Sequence, residues 1–391
     1  MRCWLVAAAL ADCVGPWPSA AATCSSERIV MEYITLPGTG LKVSRVCLGT
    51  MQFSNSWEWP CDQATATAVV NAAISAGINF FDTAQAYQVD GDRCSERMLG
   101  VALGERRSGV VIASKFGLHV GEDQTVCDGR AVTQAIDDTL AALGTDYLDL
   151  MQIHWPGNMG YIGERSHWLD AKDIVAALES AVAQGKLKYY GCCNFGTEDL
   201  KAFEAAGGKP VSNQLPYNLL FRPIESGILP ACIDRNMGVL TYSSLQQALL
   251  TGRFTDASTV PEGRRRTRLF AGDSTPKSRH GGPGVEPELF GAIAGLRQVA
   301  DSTNGAFSMA DLAVGWLLAQ PGVSCLLIGA STVSHSRHCF VGSAHRVHSC
   351  TTLRVSSWSS QIPIILLPAC RCMPACLLPA SFGMGIPPGA Q

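Results

Sequence analysis

The sequence predicts an α/β protein built as a (β/α)8 TIM barrel with an N-terminal β-hairpin plug, and three observations carry that expectation. From about residue 43 to 330, short β-branched or apolar runs alternate with segments of helical period, the pattern of parallel strands joined by crossover helices. The runs number eight, the count at which such a sheet closes on itself. Polar, chemically capable residues recur at the ends of successive runs, where a closed barrel would bring them to one mouth.

Taken in order, the strand candidates are Val43 to Leu48, Ile78 to Asp82, Val110 to Lys115, Tyr147 to His154, Leu187 to Cys192, Pro210 to Gln214, Gly238 to Tyr242 and Val323 to Ile328. The crossovers carry helix signals: Ser95 before Glu96 as a start, Ser308 with Asp311 as a capping pair, and Gly77, Gly144 and Gly185 as terminators. Ahead of the first strand, Met31 to Leu41 has Pro37-Gly38 at its middle and reads as a hairpin placed to close the bottom of the barrel. Two long loops, Gly157 to Asp170 and Thr255 to Pro287, follow strands and so belong to the substrate-facing end. Their aromatics Tyr161, Trp168 and Phe270 suggest an aromatic-lined pocket.

The two ends differ from the middle. Residues 1–30 read as a leader or an extension ahead of Met31, with Arg2, an apolar run from Trp4 to Leu10 and one acid, Asp12, within 1–26. The barrel is expected over 31–335. After Ser336 there is no Asp, Glu or Lys, and residues 336–391 show no helical or strand periodicity, so they are expected to form an aberrant, disordered tail. The cluster Cys370, Cys372 and Cys376 lacks a paired second knuckle, and His335, His338, His345 and His348 lie in no recognisable element, so no metal site is expected. Among the 16 cysteines, Cys47, Cys192, Cys193 and Cys325 sit in apolar strand-like runs and read as buried thiols of a reducing compartment.

Charge and hydropathy narrow the partners. A net charge of -3 offers no basic surface for nucleic acid, and no apolar run reaches the ~20 residues of a membrane span. A small molecule is the expected partner, in the cytoplasm or, if residues 1–26 act as a targeting signal, in an organelle. Oligomeric state is not legible.

Four polar residues then define a chemistry: Asp82 and Tyr87 in FDTAQAY, Lys115 in IASKFG and His154 in LMQIHWP. Any one of them could be a structural residue at a strand end. Together they supply what hydride reduction of a carbonyl requires, a proton donor for the developing alkoxide. A tyrosine with an ordinary pKa of ~10 is a weak donor at neutrality. A Lys115 ammonium held by Asp82 is expected to lower it, and His154 to hydrogen-bond and orient the same oxygen.

With these four residues, GCCNF at 191–195, NQLPYNLL at 213–220, TYSSLQQALLTGRF at 241–254 and LLIGAST at 326–332 give the sequence a specific resemblance to the aldo-keto reductase superfamily over 31 to about 334. It is most similar to the branch that includes bacterial Tas-like reductases and potassium-channel β-subunits. The resemblance implies NADPH as cofactor and a small carbonyl compound as substrate. It places Asn194 and Gln214 on the nicotinamide carboxamide, Tyr242 against the ring, and Asp82 and Thr50 nearby. Ser243, Leu245 and Arg253 would cradle the pyrophosphate, and Gly329 and Ser331 would receive the adenosine 2'-phosphate end. Arg253 and Ser331 favour NADPH over NADH.

Departures from the family pattern are also visible. Cys193 replaces the usual serine before Asn194, and Arg253 a common lysine. After Thr332 the family continues into a helix whose Gln, Glu and Asn grip the adenosine, where this chain has His335, His338 and Cys339. Three readings follow: an NADP(H)-dependent reductase of an aldehyde or ketone with Tyr87 as general acid, a redox-sensing binding subunit, or a chain inactive for want of the adenosine contacts.

Overall fold

The structure is a computed structural model that describes residues 31–53, 61–87, 93–117, 128–156, 171–276, 278, 280–330 and 332. The leader at 1–26, the loop Gly157 to Asp170, Ser331 and the tail 336–391 lie outside the described residues.

The chain opens with β1 (Tyr33–Thr35) and β2 (Lys42–Ser44), paired antiparallel with Ile34 opposite Val43. The turn between them is closed by the Leu36 N–H on the Leu41 carbonyl at 2.9 Å. The barrel begins at β3 (Val46–Gly49), so the single strand expected over Val43 to Leu48 is two strands in two sheets. Arg45 is the break. Its N–H donates to the Glu32 carbonyl on the hairpin side, and its own carbonyl accepts from Leu326 on the barrel side, both at 2.9 Å. Its guanidinium Nη2 adds bonds to the Leu318 carbonyl at 2.7 Å and the Val323 carbonyl at 3.1 Å. A continuous apolar run carries no mark of where its pairing partner changes.

The remaining elements alternate as expected: α1 (Gln63–Ser75), β4 (Phe80–Asp82), α2 (Cys94–Leu103), β5 (Val111–Phe116), α3 (Gly129–Leu143), β6 (Leu148–Ile153), α4 (Ala171–Ala183), β7 (Leu187–Cys193), α5 (Thr197–Ala205), β8 (Ser212–Pro216), α6 (Ile228–Asp234), β9 (Gly238–Tyr242), α7 (Glu286–Ser302), α8 (Met309–Leu318) and β10 (Val323–Gly329). Strands β3 to β10 form a closed barrel in chain order, every neighbouring pair parallel, with β10 returning to β3 through Leu326 to Gly329 against Val46 to Gly49.

The helix signals are mostly realised. Ser308 and Asp311 cap α8 reciprocally, the Ser308 N–H donating to Asp311 Oδ2 at 2.8 Å and the Asp311 N–H to Ser308 Oγ at 3.2 Å. Gly144 ends α3 in the left-handed conformation. Ser95 differs: it lies inside the first turn of α2, fully buried, and its hydroxyl turns inward to the Thr50 carbonyl at 2.8 Å instead of capping the helix.

Two apolar layers result. The outer one, between strands and helices, runs around the barrel; the inner one fills its lower half with Val43, Cys47, Phe80, Val111, Ala113, Leu150, Leu240, Cys325 and Leu327. Leu36 and Leu41 from the hairpin turn complete the inner layer from below, which is the predicted plug. Full burial of Leu36 contributes about 1.5–3 kcal/mol. The fit is close enough that a side chain at Gly238 would bring its Cβ within 2.5 Å of Leu36 Cδ1. With the floor packed, Asp82, Lys115, His154 and Gln214 lie above it, at the carboxyl-terminal ends of their strands.

In the second long loop, Phe270 is fully buried and meets Phe290 of α7 edge-on at 6.5 Å between centroids. It anchors the loop to the helix layer.

Candidate active site

All eight barrel strands deliver a residue of interest to the carboxyl-terminal mouth. On β4 to β6 the expected quartet is assembled. Lys115, completely buried on β5, sends Nζ to Asp82 Oδ1 at the end of β4, to the Thr83 carbonyl at 3.0 Å and to the Tyr87 hydroxyl at 3.3 Å. His154, one residue beyond β6, is fixed through its backbone N–H on the Phe116 carbonyl at 2.8 Å. Its ring meets the Tyr87 ring edge-on at 6.0 Å and stacks on Trp155 on the other side.

The second carboxylate oxygen of Asp82 is held by two amides, Gln152 Nε2 at 3.1 Å and Gln214 Nε2 at 2.8 Å. Gln152 was absent from the sequence-derived set. The signal was present: it lies two residues before His154 on a strand, hence on the same face, and pairs in register with Lys115. An ion pair buried this deeply stabilises only if its spare oxygens and protons are satisfied, and these bonds do that.

The electrostatics follow from burial and from the Lys115 charge. Burial pushes the Tyr87 phenol up to about 12, although the adjacent Lys115 ammonium pulls it down. The expectation of a lowered pKa is therefore corrected, because desolvation of the phenolate outweighs the ammonium. Burial works against the Lys115 ammonium as well, but the Asp82 carboxylate overcomes it and holds this group above the ordinary lysine range. Burial, aided by Lys115, drives His154 well below the ordinary histidine range, so its ring is neutral at neutral pH. The site thus presents a protonated phenol beside a fixed cation and a neutral imidazole, a combination able to deliver a proton to a developing oxyanion.

The residues expected around a nicotinamide fall on β3 and β7 to β9. Asn194, just past β7 with φ 64°, donates Nδ2 to the His154 carbonyl at 3.0 Å and to Cys193 Sγ at 3.1 Å, and accepts from the Tyr242 hydroxyl at 2.8 Å. Cys193 is a buried free thiol, as are Cys47, Cys192 and Cys325. Thr50, past the end of β3, is fully buried and its hydroxyl is engaged with the Asp82 carbonyl at 3.1 Å and Ser95 Oγ at 2.8 Å. It supports the backbone beneath Asp82.

Beyond β9 the chain enters an unusual turn. Ser243, Gln246, Gln247 and Ala248 all adopt positive φ, at 55°, 44°, 53° and 71°, in a stretch without glycine. Within it Ser244 Oγ reaches the Leu327 carbonyl at 3.0 Å, and Arg264 Nη1 the Gln247 carbonyl at 3.1 Å. Leu245 is partly buried against the outer core, and Arg253 is exposed with its guanidinium over the Phe254 ring at 5.8 Å. Gly329 is exposed at the end of β10, and the side chain of Gln52 lies against its bare Cα. No group of His, Cys, Asp and Glu able to hold a metal is found among the described residues.

A closed (β/α)8 barrel with a buried Asp-Lys-Tyr chain and a histidine at its mouth has the architecture of a carbonyl oxidoreductase. The sequence matches the aldo/keto reductase family over residues 45–345, and the chain belongs to that family, whose members are NADP-dependent oxidoreductases acting on carbonyl compounds. It is 32% identical over 308 residues to the aldo-keto reductase YhdN of Bacillus subtilis, covering 77% of this chain and 85% of YhdN. It is 29% identical to the protein tas of Escherichia coli (78% and 90% covered) and 26% identical to a probable voltage-gated potassium channel subunit beta of Arabidopsis thaliana (78% and 88% covered). Among solved structures, a glycerol dehydrogenase of Gluconobacter oxydans superposes with a TM-score of 0.66 at 26% identity, covering 87% of this chain and 99% of its own. An aldo/keto reductase of Klebsiella pneumoniae in complex with NADP and acetate superposes with a TM-score of 0.57 at 26% identity, covering 81% and 90%. The branch named from the sequence is the one these relatives represent. No helix among the described residues is long and apolar enough to cross a membrane.

Proposed function

We propose that this chain reduces an aldehyde or ketone to the alcohol at the expense of NADPH, with Tyr87 as the general acid. The observation that carries the reading is the buried series Asp82, Lys115, Tyr87, in which the Tyr87 hydroxyl lies 3.3 Å from a fixed ammonium. At neutral pH the phenol keeps its proton, as a donor must, and Lys115 is placed to stabilise the phenolate left behind. Asp82, with Gln152 and Gln214 on its other oxygen, holds Lys115 in place. His154, neutral and beside Tyr87, is suited to hydrogen-bond the substrate carbonyl and orient it.

The residues present fit a nicotinamide dinucleotide over the described part of the groove. Gln214 carries an amide against Asp82 and Asn194 one against His154, Tyr242 offers a ring, Ser243 and Leu245 lie on a left-handed turn of the kind that presents backbone amides to anions, and Arg253 follows that turn in the chain. Gly329, with Ser331 beyond it, is assigned to the adenosine 2'-phosphate end. When bound, the cofactor supplies the hydride; the residues named here bind it, orient the carbonyl and deliver the proton.

The test is NADPH oxidation with a panel of aldehydes and ketones. Tyr87→Phe should lower kcat by at least about a thousandfold while leaving NADPH binding, read by fluorescence, within about twofold. Turnover that survives this change would remove Tyr87 from the mechanism. A second reading, a redox-sensing binding subunit, is favoured by the potassium-channel relatives; co-purification with a membrane channel would support it.

A further inference from the structure

The stretch NQLPYNLL contributes Gln214 to the site, but its second asparagine, Asn218, is used by no step above. It is completely buried, and all of its hydrogen-bonding capacity is spent. Its Oδ1 accepts the backbone N–H groups of Leu220 at 2.9 Å and Phe221 at 3.0 Å. Those two donors fix the amide orientation, so the NH2 group faces the other way. There it donates to the Ser243 carbonyl at 3.0 Å and to Gln246 Oε1 at 2.7 Å. Both acceptors belong to the left-handed turn after β9.

Non-glycine residues at positive φ are individually unfavourable and persist only where the surroundings over-determine them. Four occur between 243 and 248, and Asn218 bonds the first two. Ser244 adds bonds to the Thr241 and Leu327 carbonyls, and Arg264 adds one to the Gln247 carbonyl. Within the turn the Gln246 N–H donates to the Ser243 carbonyl at 2.8 Å, and Asn218 braces both of these residues from outside, from a different strand-to-helix connection.

We propose that Asn218 is a positioning residue for cofactor binding, clamping residues 243–248 in the conformation that receives the NADPH pyrophosphate before the cofactor arrives. This rests on the cofactor reading above. The clamp saves the ordering that binding would otherwise require, so its loss should appear in affinity and leave the chemical step intact.

The experiment uses the full chain carrying Asn218→Asp, which keeps the size and both acceptor bonds but removes both donations. The Kd for NADPH at pH 7.5 should weaken by roughly tenfold to a hundredfold, the equivalent of two lost hydrogen bonds. Turnover at saturating NADPH should change by less than about twofold. Below about pH 5 the introduced carboxyl regains a donor by protonation and part of the affinity should return. Without nucleotide, hydrogen exchange should accelerate at the Leu249 and Leu250 amides, which donate across the turn to Gln246 and Leu245. Gln246→Met, which spares the bond to Ser243, should give a smaller loss, and it keeps the test decisive if the first variant fails to fold. An unchanged Kd overturns the proposal, whether or not exchange accelerates. Wild-type protein that fails to bind NADPH would defeat the cofactor reading itself; exchange at Leu249 and Leu250, measured without nucleotide, tells that failure from failure of the clamp.

Discussion

On the β4 to β6 side of the barrel mouth, structure is made by charged and polar side chains bonded to one another in full burial; on the β9 side it is made by backbone conformation. Lys115, Asp82, Gln152 and Gln214 are each at most 2% exposed, and the bonds that hold the Asp82 carboxylate among them join side chain to side chain. The turn at 243–248 holds four left-handed residues bonded largely through carbonyls, and the Arg253 cation beyond it is exposed. Under the function proposed above, the first arrangement fixes the place where a proton moves, and the second accommodates an anionic ligand that comes and goes, so its strength lies in shape and access.

The two sides should therefore fail differently. Lys115→Met keeps the aliphatic stem and leaves the Asp82 carboxylate buried with amide donors alone. Breaking a buried pair from one side costs about 3–5 kcal/mol, read as a lowered denaturant midpoint, and turnover should vanish with it. Arg253→Met on the exposed side should shift stability by less than about 0.5 kcal/mol while weakening NADPH binding. Equal stability losses at the two positions would erase the distinction.

The same contrast explains what the sequence disclosed. Asp82, Tyr87, Lys115 and His154 were legible because their chemistry resides in residue type, and strand-end position brought them together. Gln152 was equally available from strand periodicity but carries no charge, so nothing singled it out. The direction of the Tyr87 shift was misjudged because a pairwise view counts the ammonium and omits the desolvation of the phenolate. The left-handed turn was not legible at all: Ser243, Gln246, Gln247 and Ala248 have no intrinsic preference for positive φ, and tertiary bonds impose it. The split at Arg45 was hidden for a related reason, since pairing partners are set by the whole sheet.

A second, smaller effect separates the halves by pH. Burial and the Lys115 charge hold His154 well below the ordinary histidine range in the folded chain, whereas an unfolded histidine titrates near ~6.5. As pH falls through that value the unfolded chain gains a proton that the folded chain refuses. Stability is therefore present above pH ~6.5 and declines below it, by up to ~1.4 kcal/mol per pH unit. Thermal melts of His154→Asn between pH 7.5 and 5.5 should show a flatter decline than wild type, and Tyr242→Phe should leave the slope alone. A wild-type slope retained in His154→Asn would assign the acid sensitivity to other groups.

The smallest expected effect tests the backbone side directly. Ala248 sits at φ 71° and ψ 8°, where its Cβ crowds the following carbonyl. Glycine has no such penalty but gains freedom in the unfolded chain, so Ala248→Gly should stabilise by a net of roughly 0.5–1 kcal/mol. The same change at Ala176, exposed in the middle of α4, should destabilise by about 1 kcal/mol. Denaturant midpoints of the two variants should thus move in opposite directions. A stabilised Ala248→Gly that also binds NADPH more weakly would show that the methyl group, and with it the tension of the turn, assists in holding the cofactor. Unchanged affinity would assign the left-handed geometry to Asn218 and its neighbours, with Ala248 merely tolerating it.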